Sequence, residues 1–110
     1  MSSSRIKKLK SLHQKKFRRH ENKFLLEGHR LIDQSLSSII EIEEVWINKK
    51  SMESSIGKKL IHKFDEQKIP WNLTPEKIIR QISDSLNEQG IIALSSIPTY
   101  KRHEKPPIQS

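Results

Sequence analysis

The sequence predicts an α/β sandwich with a largely parallel or mixed sheet, on three observations. Short runs of Phe, Leu, Ile, Val and Trp alternate with longer segments whose apolar residues recur at helical spacing. Gly28, the turn from Asn87 to Gly90 and Pro98 punctuate these segments. A chain of 110 residues has room for one core of ordinary size and not for two.

The elements follow in order. Ile6, Leu9, Leu12 and Phe17 lie three and five residues apart, with Lys or Arg filling most gaps. That spacing predicts an amphipathic helix from a capping Ser4 to about Phe17. His20-Glu21-Asn22 has the polarity of a loop, and a strand follows from Lys23 to Leu26 or Glu27, where Phe24-Leu25-Leu26 implies burial on both faces. Gly28 opens a second helix, His29 to Ser38, with Leu31, Ile32, Ser35, Leu36 and Ile39 on one side. Glu44 to Asn48 reads as a strand. Ile56, Leu60, Ile61 and Phe64 predict a third helix from Met52 to Gln67, with Gly57 as its weak point.

The short strand IPWNL comes next. Thr74 supplies a capping hydroxyl, Pro75 the first helical position and Glu76 an acid in the first turn of a helix that buries Ile78, Ile79 and Ile82. A final strand, Ile91 to Ser95, is closed by Pro98. Residues 99–110 carry charge and Pro106-Pro107 but no periodicity, and read as a linker. The expected organisation is a basic helix and loop over 1–22 packed on an α/β domain over 23–98, then the linker.

Composition narrows the function. The chain has no cysteine, which excludes disulfides and Cys-based metal sites and suits a cytoplasmic protein. No segment approaches the roughly 20 apolar residues of a membrane span. The Ser-rich, acid-free start has a transit-peptide flavour, but Lys outnumbers Arg and the helix runs into the fold. Glycines at 28, 57 and 90 are too dispersed for a nucleotide-phosphate cradle. The five histidines lack zinc-site spacing, and no serine sits in a nucleophile elbow, so no metal and no catalytic residue is expected.

The charge distribution is the positive finding. The net charge is +8, and residues 1–30 hold ten Lys/Arg against only Glu21 and Glu27, while residues 31–100 hold eight basic and ten acidic groups. Arg5, Lys7, Lys8, Lys15, Lys16, Arg18 and Arg19 cannot all be buried, because an unpaired buried cation is costly and the two acids nearby in sequence are too few. They face solvent or a polyanion, with nucleic acid ahead of a membrane because no aromatic-anchored apolar face accompanies them. The plainer alternative is a solubilising face. Gly28 and the amides of His29 and Arg30 could meet a phosphate at a helix start, although a tight turn alone explains the glycine, and Arg30 adds a further cation there. Trp46 and Trp71 are expected in the core, since only an exposed ring would stack on a base.

Taken together, RIKKLKSLHQKKFRRHENKFLLEGHRLIDQSL, EIEEVWIN and ISDSLNEQGIIALSSIP resemble the N-terminal substrate-binding domain of SpoU-type RNA ribose 2′-O-methyltransferases, in the SPOUT class. The likeness spans about residues 5–98. It implies a three-layer α/β/α sandwich with a small mixed sheet of about four strands, ribosomal-protein-like, that binds structured rRNA or tRNA. It also implies a following catalytic domain that binds S-adenosylmethionine and forms a homodimer. The chain would then be a fragment unable to methylate alone. A stand-alone RNA-binding or ribosome-associated module is the alternative, and a protein-interaction domain with an acidic partner is a third. Glu27, Gly28, Arg30, Asn87, Gln89 and Gly90 match the family's signature turns, and Glu88 stands where the family commonly has proline. Those turns are expected to be structural.

Overall fold

A computed structural model describes residues 1–84 and 89–98. The expected N-terminal helix is two helices. α1 (Ser3–Ser11) starts on Ser2 rather than Ser4: the Ser2 hydroxyl accepts from the Arg5 amide at 3.2 Å. It stops early because side chains take over carbonyls in its last turn and just beyond it. Ser11 Oγ donates to the Lys8 carbonyl at 2.6 Å, and Arg18 Nη1 donates to the carbonyls of Leu12 and His13 at 3.2 and 2.8 Å. α2 (Lys15–Glu21) takes up His20 and Glu21, expected in a loop, and ends on Asn22 in the left-handed region at φ 60°.

β1 (Phe24–Glu27) and α3 (His29–Ser35) flank Gly28, whose φ of 105° suits glycine. α3 is shorter than its periodicity suggests, because Ser35 and Ser38 turn their hydroxyls onto the carbonyls of Ile32 and Ser35, both at 2.7 Å. β2 (Glu41–Ile47) consequently begins three residues before the expected Glu44. The expected third helix is split into α4 (Lys49–Glu53) and α5 (Ser55–Glu66). Asn48 caps the first through Ser51 N at 2.8 Å, and Ser54 caps the second through Gly57 N at 3.0 Å. Gly57 is a requirement rather than a weakness: a Cβ there would lie 1.7 Å from the Ser51 carbonyl oxygen.

β3 (Trp71–Leu73) leads into α6 (Glu76–Ile82), and β4 (Ile91–Ser96) completes the described elements. The Thr74 hydroxyl does not cap α6. It donates back to the Asn72 carbonyl at 3.0 Å, and Pro75 occupies the cap. Ile79 and Ile82 are fully buried and Ile78 partly so, as the periodicity requires.

The sheet is mixed, in the order β1-β4-β2-β3. β4 runs antiparallel to both neighbours, whereas β2 and β3 are parallel. The last strand in sequence is therefore internal, and Ile91 to Ser95 are all buried. Alternation divides their side chains between two cores. Ile91 and Ala93 join Leu26, Ile32, Val45, Ile47, Leu60 and Phe64 under α3 and α5. Ile92 and Leu94 join Leu9, Leu12, Trp46, Ile79 and Ile82 under α1 and α6. Leu25 packs on one core and Leu26 belongs to the other, so β1 is buried on both faces as expected. The result is the three-layer sandwich.

Candidate functional site

The basic segment folds against the second core, and the two helices treat their cations differently. On α1, Arg5 Nη2 lies 2.9 Å from Glu44 Oε1, with its guanidinium 5.8 Å from the centre of the Trp46 ring. Glu44 also accepts from Asn72 Nδ2 at 2.9 Å. Lys8 approaches Glu21 at 3.9 Å, and Lys23, just before β1, pairs with Glu43 at 3.0 Å. These groups border a cavity of about 240 Å3 floored by Leu9, Leu12 and Leu94. Three cations there face three carboxylates.

α2 buries no residue. Its Arg18 is half-buried and occupied by the Leu12 and His13 carbonyls just past α1, but Lys15, Lys16 and Arg19 are exposed and have no ion-pair partner among the described residues. Lys16 Nζ stands 5.0 Å from the centre of its neighbour Phe17's ring. Lys15, Arg18, Arg19 and Lys23 line an open groove of about 640 Å3 with Phe24, Leu25 and Ile97, at the end of the sheet where β1 starts and β4 finishes. Lys7, and Lys10 which the sequence reading passed over, are likewise exposed and unpaired among the described residues.

The signature turns meet at the other end of the sheet. The Gly28 amide donates to the Ile91 carbonyl at 3.2 Å, and the His29 amide donates to Gln89 Oε1 at 3.2 Å. His29 Nδ1 also faces Gln89 Oε1, at 3.3 Å. An amide oxygen only accepts, so Nδ1 is the donor in that contact, and Nε2 is hydrogen-bonded to the Ser51 hydroxyl. Gly90 has φ 82° and abuts Asn48: a Cβ there would come within 2.5 Å of its amide. Glu27 accepts from Ser83 Oγ and from the Asp84 amide at 3.1 Å, while His13 Nε2 donates to the Ile82 carbonyl at 2.7 Å. Glu27, Gly28, Gln89 and Gly90 thus hold the turns around β1 and β4 together. Asn87 lies outside the described residues. Arg30 is exposed in the first turn of α3 and unpaired among the described residues.

Trp46 is buried, and Trp71 is half-buried with its indole N–H donating to Asp65 Oδ1 at 3.0 Å. Neither ring is presented as a stacking platform. No group of three metal-ligating side chains occurs among the described residues, and no described helix is long and apolar enough to cross a membrane.

A three-layer α/β domain with a cationic flank is the class these features define. A family model described as the MRM3-like substrate binding domain matches residues 3–93, and the chain belongs to that family. Among solved structures, it superposes on an RNA 2′-O ribose methyltransferase with a TM-score of 0.76 and 26% identity, covering 89% of this chain and 36% of that one. The SpoU methyltransferase AviRb from Streptomyces viridochromogenes, in complex with AdoMet, gives a TM-score of 0.74 at 12% identity, over 88% of this chain and 36% of that one. An rRNA methyltransferase from Sinorhizobium meliloti gives 0.64 at 20%, over 86% and 34%. The last two show a shared fold. A search of the curated proteins found no match. The chain spans about a third of the length of the solved structures it matches.

Proposed function

We propose that this chain is the RNA-recognition domain of an S-adenosylmethionine-dependent rRNA or tRNA 2′-O-ribose methyltransferase. The observation that carries the reading is the row of unpaired cations on α2, Lys15, Lys16 and Arg19, above an open groove in a domain of a substrate-binding family. Such cations fit phosphate oxygens, and they supply affinity and orientation rather than sequence choice. Lys7 and Lys10 extend the contact along α1, and Arg30, at the other end of the sheet, offers a separate cation to a further phosphate. Arg5 and Lys8 join it by exchanging Glu44 and Glu21 for phosphate, and Arg18 serves by holding α1 against α2.

In this reading the catalytic chemistry and S-adenosylmethionine belong to a further domain of a longer, homodimeric parent in the cytoplasm, with residues 99–110 as the connection. The chain's own share is to grip structured RNA and present a ribose. Binding measured against salt tests this. With about six phosphates neutralised, the log-log slope should be about −4 to −5, and reversing Lys15, Lys16 and Arg19 to Glu should shrink it by about 2 to 3. A flat salt response, or an unchanged slope in the triple variant, would sink the assignment.

A further inference from the structure

Three of the buried polar residues, Asn48, Ser51 and Thr74, gather where β2 and β3 end. Two adjoining grooves open there, of about 720 and 340 Å3, sharing Asn48, Lys50, Ser54 and Glu76. Those volumes lie in the range of about 300 to 1,000 Å3 that small-ligand sites occupy, and the carboxyl ends of parallel strands are a common place for such sites. This end of the sheet is remote from the cationic groove beside the start of β1.

The lining is rich in donors. Asn48 is only 6% exposed, and its Oδ1 is committed to the Ser51 amide, yet its Nδ2 has no hydrogen-bond partner among the described residues. Nor is that nitrogen sealed in: the one buried side-chain polar atom without a partner among the described residues is Ser95 Oγ. Gln89 is arranged alike, with Oε1 taken by His29 and Nε2 unpartnered among the described residues. Lys49 and Lys50 are exposed beside them, without ion-pair partners among the described residues. Of the two lining carboxylates, Glu76 is engaged by Arg80 at 3.2 Å, which leaves Glu53 as an acceptor. Leu73 and Ile56, 56% and 44% exposed, supply apolar walls.

We propose that this groove holds one unstacked nucleotide of the bound RNA. The Asn48 and Gln89 amides donate to base carbonyls, Glu53 accepts from an exocyclic amine, Lys49 and Lys50 meet the flanking phosphate, and Leu73 packs on the base. A paired nucleotide cannot enter, because its base is held in the stack with its Watson–Crick edge taken by its partner, whereas a bulged or looped nucleotide can be splayed out with that edge free. The inference rests on the RNA-binding reading and adds a preference for unpaired nucleotides that the phosphate-gripping cations of α2 cannot supply.

The test compares binding of the 110-residue chain to an RNA hairpin with a short bulge and to a fully paired hairpin of equal phosphate count. The expected result is a preference of about tenfold for the bulged RNA, equivalent to about 1.4 kcal/mol. Asn48→Asp with Gln89→Glu keeps both structural acceptors, and Asp is a good helix cap, so the fold stands while both donors vanish. Because both RNAs carry equal charge, added repulsion cancels in the ratio, which should fall towards one. Leu73→Ser, at an exposed side chain, should lower the same ratio without touching a cap. Reversal of Lys15, Lys16 and Arg19 should reduce the salt slope and leave the ratio intact. Salt-dependent binding with no bulge preference, or a preference that survives both sets of groove changes, overturns this inference alone. Salt-independent binding, or no binding to either RNA, overturns the RNA-binding reading with it.

Discussion

α1 and α2 are neighbours with four Lys or Arg residues each, and the fold packs the first against the sheet while it leaves the second on the surface. α1 buries Leu9 and, just past its end, Leu12, and Arg5 and Lys8 meet carboxylates. α2 buries nothing and leaves Lys15, Lys16 and Arg19 unpaired among the described residues. A cation held by a carboxylate must give up that partner before it can grip a phosphate, whereas a free one releases only water and counterions. Positive charge along a sequence is thus a poor count of positive charge offered to a ligand. Two helices equally rich in cations can divide into one that anchors and one that stays exposed.

Truncating the anchor should have the largest effect. Leu9→Ala or Leu12→Ala removes a side chain from the core under α1 and α6, at a cost of about 2 to 5 kcal/mol in urea unfolding. Phe17→Ala on α2, where the ring is only half-buried, should cost about 1 kcal/mol or less. Equal losses at the two sites would erase the distinction between the helices.

Arg18 is the joint between them and comes next. Arg18→Ala leaves the Leu12 and His13 carbonyls without their charged donor, an expected loss of about 1 to 2 kcal/mol in the same unfolding measurement. Arg18→Lys should recover little of it, since both bonds come from Nη1, which stands one bond further along the side chain than a lysine ammonium reaches. Full recovery by lysine would mean that charge alone, rather than the donor geometry, joins the helices.

The smallest effect sharpens the comparison most. The Arg5–Glu44 pair is partly exposed, so Arg5→Ala should change stability by about 1 kcal/mol or less. Glu44→Gln should release Arg5 to phosphate and steepen the salt dependence of RNA binding by a slope of about 1. An unchanged slope would show that Arg5 contributes equally with or without its carboxylate.

The alternation of strands and helices and most buried positions could be read from the residues. Burial of an element leaves a local mark, and Ile79 with Ile82 or Leu60 with Phe64 recur at helical spacing whatever lies beyond them. Element ends were less legible. Ser11, Ser35, Ser38 and Thr74 each bond a nearby carbonyl, and a hydroxyl in sequence does not declare whether it will cap a helix or turn back on one. The site was legible only in part, with the cations in view and their partners hidden.

The sequence by itself determined the class of fold, the two-faced burial of β1 and the excess of cations at the front of the chain. It could do so because periodicity, propensity and charge are properties of neighbouring residues. Only the tertiary structure decided which cations are free, since Glu44 reaches Arg5 across 39 residues through the placing of β2 under α1. It also decided that Gln89 would bond His29, 60 residues away, and that Gly90 would abut Asn48. These pairings depend on strand order and register, which arise when the two cores close on opposite faces of one sheet.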